Sequence, residues 1–166
     1  MLATLAQHFD GIGWTAFPLP NIGVQQNALL AVSMPTTGLA WAVGYFENGR
    51  FEQKTLVEHF DGAVWSVVPS PSPGGRQNIL YGVAAITDYD VWAVGAEQDS
   101  NERWHTLTER WDGSKWSVVN AIDAGLSGNQ LYAVKALATD DVYAVGQQAG
   151  AAFPNQALME RWDGDH

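Results

Sequence analysis

The sequence has no cysteine, only eight Lys and Arg against eighteen Asp and Glu, and no long apolar run. Each shortage removes a class of function. Without cysteine there are no disulfides and no thiolate metal sites. The formal net charge is −10 and the few basic residues form no cluster, so nucleic acid is excluded as a partner. No stretch approaches the roughly 18 consecutive apolar residues of a membrane span, and no membrane insertion is expected. The opening "MLATLAQHFDG" lacks a basic region followed by an apolar core, so no signal peptide is read in it.

What is present is a repeat. "QHFDGIGWTA" (7–16), "EHFDGAVWSV" (58–67), "ERWDGSKWSV" (109–118) and "ERWDGDH" (160–166) place Asp10, Asp61, Asp112 and Asp163 at a constant spacing of 51. Trp14, Trp65 and Trp116 keep that register, as do Asn27, Asn78 and Asn129 and the three "AVG" triplets at 42–44, 93–95 and 144–146. A period of this length indicates a solenoid or a propeller.

The middle unit divides into "ILYGVAAI" (79–86), "DVWAVGA" (90–96), "TLTERWD" (106–112) and "KWSVVN" (115–120). Rich in Val, Trp, Tyr and Thr, and bounded by Gly, Pro, Asp and Ser, these read as four strands. None carries an apolar stripe at helical spacing. Asp-Gly between the third and fourth strands predicts a hairpin with a type I′ turn. Glycine and alanine in the first strand suit a crowded axis, and the aromatics suit wider outer strands. The fold class is all-β: a β-propeller of four-stranded antiparallel blades. The chain is one unit of three repeats (about 13–63, 64–114 and 115–163), the last blade being completed by a strand at 13–18.

The pattern "L-x-x-V…VWAVG…L-x-E-R-W-D-G-x-x-W" resembles the WDG…W repeats of bacterial β-propellers, distantly similar to kelch and Asp-box blades. The resemblance covers almost the whole chain. It implies the propeller fold and an extracellular or cell-surface setting, and it leaves activity open, because such propellers include lectins, hydrolases and scaffolds. Lectins that oligomerise from two-blade chains are a precedent for closing a ring with several copies.

Propellers have about four to eight blades, and this chain has about three. An open arc leaves apolar blade faces in water, which favours association at about 25 cal/mol per Å² buried. The simplest closure is a homodimer of six blades. In it "GWTAFP" (13–18, with Trp14 and Phe17) of one copy adds to the sheet ending in "ALMERWD" (157–163, with Leu158 and Trp162) of the other. "TLAQHFD" (4–10) duplicates a third strand, so a filament or a segment of a longer array stays open beside the dimer.

Strand topology puts the Asp-Gly turns and the links "TDYD" (87–90) and "TDD" (139–141) at one end of the blades. Loops that differ between repeats lie at the other, which is the candidate binding face. Trp104, flanked by Arg103 and His105, is a stacking platform for a glycan or a lid on its own blade. Asn27, Asn78 and Asn129 either ring the axis around a polar ligand or bond their own turns. Glu58, Glu109 and Glu160 recur once per blade, too far apart for a paired-carboxylate glycosidase, and are expected to pair with Arg or backbone amides. Asp88, Asp90, Asp140 and Asp141 read as solvated turn formers. The histidines lack ligand spacing, and no nucleophile motif or phosphate-cradling loop occurs. No metal, cofactor or catalytic residue is assigned. The expected function is non-enzymatic: a self-assembling recognition or scaffold module whose variable face takes a carbohydrate or a cell-surface partner, or a purely structural ring- or filament-forming protein.

Overall fold

The computed structural model of the chain describes residues 3–121, 128–149 and 155–165. Every helix or strand among them is a strand. The strands are β1 (Ala6–Phe9), β2 (Trp14–Phe17), β3 (Asn27–Thr36), β4 (Leu39–Glu47), β5 (Gln53–Phe60), β6 (Trp65–Val67), β7 (Asn78–Thr87), β8 (Asp90–Gln98), β9 (Trp104–Trp111), β10 (Trp116–Val118), β11 (Gln130–Ala138), β12 (Asp141–Gln148) and β13 (Gln156–Trp162). They form an N-terminal hairpin (β1-β2), two four-stranded sheets (β3-β4-β5-β6 and β7-β8-β9-β10) and a three-stranded sheet (β11-β12-β13), all antiparallel. This is the predicted arc of blades. Within the chain, β2 pairs with β1 rather than completing the sheet of β13.

Each first strand carries the same irregularity. Leu29, Leu80 and Leu131 pair with Gly44, Gly95 and Gly146, and the register then slips by one residue. The extra residue is Leu30, Tyr81 or Tyr132, and such a bulge increases the local twist of the strand. Successive first strands run side by side. A Cβ on Gly82 of β7 would lie 3.1 Å from Ala133 Cα of β11, so glycine there permits close approach. The Ala85 amide of β7 donates to Ser33 Oγ of β3 at 3.0 Å.

The core lies between sheets. Trp41, Val43 and Val57 of the first blade pack against Leu80, Val91, Leu107 and Trp116 of the second. Trp41 is 5.3 Å from Trp111 and 5.6 Å from Trp116, centroid to centroid. Fifty-one residues on, Trp92 meets Trp162 at 5.4 Å, and Val94 packs with Leu131, Ala144 and Leu158. Side chains alternate across a strand, so each sheet buries both faces only where it has a blade on either side.

The Asp-Gly turns differ from the expected type I′. The flanking pairs Phe9↔Trp14, Phe60↔Trp65 and Trp111↔Trp116 enclose four residues, not two. Only glycine is left-handed, with φ of 98° at Gly11 and Gly62, 92° at Gly113 and 104° at Gly164. The aspartate acts through its carboxylate. Asp112 Oδ1 accepts the amides of Ser114 and Lys115 at 2.8 and 3.0 Å, and Asp61 does the same for Ala63 and Val64. A side chain that mimics a backbone turn makes positive φ at Asp unnecessary. The Ser114 hydroxyl and these amides hold Asp112 down at a pKa of about 2.

Candidate functional site

Of the residues expected to bind a ligand, Trp104 and Asn129 meet through their backbones, and Asn27 and Asn78 each bond within a turn of their own blade. Asn27 and Asn78 are buried, and each accepts the amide of Gly23 or Gly74 at 2.7 Å and donates back to the same residue's carbonyl. Asn129 is buried too, with its amide donating to Trp104 O at 3.1 Å. The side chains of Asn27 and Asn78 thus shape the turns that enter their first strands. Trp104 is half-buried and begins β9, paired with Gln98, instead of standing in a polar loop. Asp99 causes this: its Oδ1 accepts the amides of Asn101 and Arg103, closing a short turn that brings Trp104 back into the sheet. His105 Nε2 lies 3.3 Å from Asp99 Oδ2, and Arg103 is exposed.

The first blade builds the same turn from other residues. Asn48 Oδ1 accepts the amides of Arg50 and Glu52, as Asp99 does one repeat later. The residue before the last of each turn is left-handed without being glycine: Phe51 at φ 61° and Glu102 at φ 62°. A bulky residue in that conformation costs roughly 1–2 kcal/mol, yet Phe51 is 64% exposed. Sequence reasoning passed over Phe51. The repeated Asn48 and Asp99, 51 apart, are the signal that would have marked it.

Asp88 and Asp90 of the opposite end tie blades together, contrary to their reading as solvated turn formers, whereas Asp140 is exposed and Asp141 bonds Arg161 within its own sheet. Asp88 Oδ1 of the second blade accepts Trp41 Nε1 at 3.0 Å and lies 2.7 Å from His59 Nε2, both of the first blade. Asp90 accepts Arg110 Nε at 2.9 Å and, from the third sheet, Thr139 Oγ1 at 2.8 Å. Asp88→Ala is expected to cost about 1–3 kcal/mol, because the buried Trp41 N–H loses its acceptor. Urea unfolding measures it, and an unchanged midpoint would remove Asp88 from the joint between blades.

Two of the repeated glutamates, Glu58 and Glu109, also depart from expectation. Glu58 and Glu109 are fully buried, and neither carboxylate has a hydrogen-bond partner among the described residues. The neighbouring basic residue cannot serve: Arg110 follows Glu109 directly, points to the other face of the strand and pairs with Asp90. Burial raises Glu58 to about 7 and Glu109 to about 8. At neutral pH Glu109 therefore stays largely protonated, and Glu58 is about half so.

What the arc leaves uncovered is its two ends. On the third sheet, Ala133, Val145 and Met159 are cross-strand neighbours on one face, as are Lys135, Tyr143 and Arg161. Val145 and Met159 are exposed, and Arg161 lies over the Tyr143 ring at 5.5 Å. At the other end, Leu30, Val32 and Met34 of β3 are exposed. Near its outer edge, Phe17 of β2 lies edge-on to Phe60 at 5.2 Å.

No family model matches the sequence, and no curated protein matches it. Among solved structures the chain is similar in fold to a β-propeller described as YCF48 bound to D1 peptide, with a TM-score of 0.61 and 16% identity over 95% of this chain. The chain spans 44% of that structure's length. At this identity the likeness shows the fold alone. The all-β, blade-by-blade architecture is thus that of a propeller.

Proposed function

We propose that this chain is a non-enzymatic propeller scaffold that associates with further copies of itself through its open ends. The observation that supports this is the pair of exposed apolar faces, Leu30, Val32 and Met34 at one end and Tyr143, Val145 and Met159 at the other. The corresponding positions inside the arc are covered by a neighbouring blade. Placing one end against the other removes both from water, at about 25 cal/mol for each Å² of apolar surface. Two copies joined at both ends make a ring of six blades. A single repeated joint makes a filament.

Light scattering across micromolar concentrations tests the reading. The expected mass is about twice the 18.0 kDa of one chain. Replacing Val145 and Met159 together with Lys should return it to that of one chain, because two charges would have to be buried. A wild-type protein of single-chain mass throughout ends the proposal.

A second reading places a carbohydrate or a surface protein on the loop face. Its support is Phe51, an exposed aromatic side chain held at a costly backbone angle, where strain and function often coincide. The propeller of similar fold is described as peptide-bound. Trp104 is the weaker anchor of the two, since it is half-buried in its own blade. A glycan array and a peptide array, each repeated with Phe51→Ala, test this reading. Signal that survives the substitution argues against that residue as the anchor.

A further inference from the structure

We infer that the cavity between β13 and the second blade is the seat of Trp14 from a second copy, whose β2 leaves β1 and pairs with the outer edge of β13. This rests on the self-association proposed above and adds how the joint is made.

The repeat supplies the template. Trp116 of β10 is buried against Trp41 and Trp111, with centroids at 5.6 and 6.1 Å, and closes the outer corner between the first and second blades. The same corner of the next joint is formed by Trp92 and Trp162. There, together with Val94, Ala144 and Leu158, they line a cavity of about 200 Å³. No strand flanks the outer edge of β13 among the described residues. Trp14 holds the same place in the repeat as Trp116, 102 residues earlier. It is 69% exposed, resting on Phe9 at 5.5 Å. Phe9 in turn is the repeat counterpart of Trp162. Exchange therefore trades Phe9 for Trp162 and adds Trp92, turning an exposed indole into a buried one.

The strand to be given up is weakly held. β1 and β2 share four residue pairs, and most of their side chains are exposed. An isolated two-stranded hairpin is marginal in water. The register of the new pair is set by that of β10 on β9, Trp116↔Trp111, Ser117↔Arg110 and Val118↔Glu109. It places Trp14 opposite Trp162, Thr15 opposite Arg161 and Ala16 opposite Glu160.

The absence of native cysteine makes disulfide trapping clean. With Thr15→Cys and Arg161→Cys in one chain, mild oxidation should give covalent dimers or longer oligomers on a non-reducing gel. With His8→Cys and Thr15→Cys, partners within the present hairpin, oxidation should lock β2 at home and weaken association at least tenfold, reversibly on reduction. Trp14→Ala should raise the dissociation constant about 10- to 100-fold, as for an aromatic hot spot. The monomer's melting temperature at low concentration should stay unchanged, since Trp14 is exposed there. If the locked hairpin associates as tightly as wild type, strand exchange is refuted while end-to-end association stands. If wild type never exceeds single-chain mass, both fall.

Discussion

The protein is expected to be most stable near pH 4 to 5, to lose stability steadily toward pH 8, and to regain much of it on Glu109→Gln. Glu109 has an ordinary pKa of 4.5 when unfolded and about 8 when folded. Above 4.5 the unfolded chain has released the proton while the folded chain still holds it. Stability therefore falls by up to about 1.4 kcal/mol per pH unit, and the loss levels off once the folded group titrates. Glu58 adds the same trend up to about pH 7. The turn aspartates act in the opposite sense, but only at lower pH. Asp112, held near 2 by the Ser114 hydroxyl and the amides of Lys115 and Ser114, loses its contribution as pH falls below the usual 3.8.

Glu109→Gln keeps the shape and removes the titration. At pH 7 it should stabilise the fold by about 2–3 kcal/mol, somewhat less than the full proton linkage because a buried amide also lacks partners. At pH 4.5 it should be close to neutral. Urea unfolding at these two pH values and at pH 8 measures both points. Destabilisation of equal size at every pH would mean that the carboxylate is ionised and paired in the folded protein.

The second large effect is expected at Gly95. A Cβ there would overlap the Ile79 carbonyl oxygen and lie 2.9 Å from Leu80 Cα, and both obstacles are backbone. Gly44 meets Ala28 and Gly146 meets Gln130 in the same way. These glycines let the second strand cross the bulge of the first, so an added methyl group must push the two apart along the interface with the next blade. Gly95→Ala should cost at least about 3 kcal/mol. Gly49→Ala is the control, since nothing lies within 4 Å of its Cβ position, and it should be close to neutral. Thermal melts of the two variants beside wild type decide the matter. Equal melting points would show that the bulge accommodates a side chain.

Glycine at 44, 95 and 146 was legible as a repeat landmark but not as a clash, because the clash depends on a bulge that period and composition do not reveal. Asn27, Asn78 and Asn129 illustrate the converse. Their local role follows from residue type, and the structure bears it out for Asn27 and Asn78 with bonds to Gly23 and Gly74. The acids were harder to place. Asp88 and Asp90 differ from ordinary turn aspartates only in that a tryptophan or arginine on another strand lies within reach. Glu109 and Arg110 are adjacent in sequence and look like companions, yet a strand sends them to opposite faces.

The sequence by itself determined the all-β class, the 51-residue period, the order of strands within each blade and the incompleteness of the arc. These follow from alternation and turn chemistry, which act over a few residues. Only the tertiary structure decided which charges are tied, which carboxyls are buried without a partner, and where a cavity of about 200 Å³ lies beside Trp92 and Trp162. Those outcomes depend on what faces a side chain across the gap between sheets, and residues that meet there lie about fifty or more positions apart in the chain.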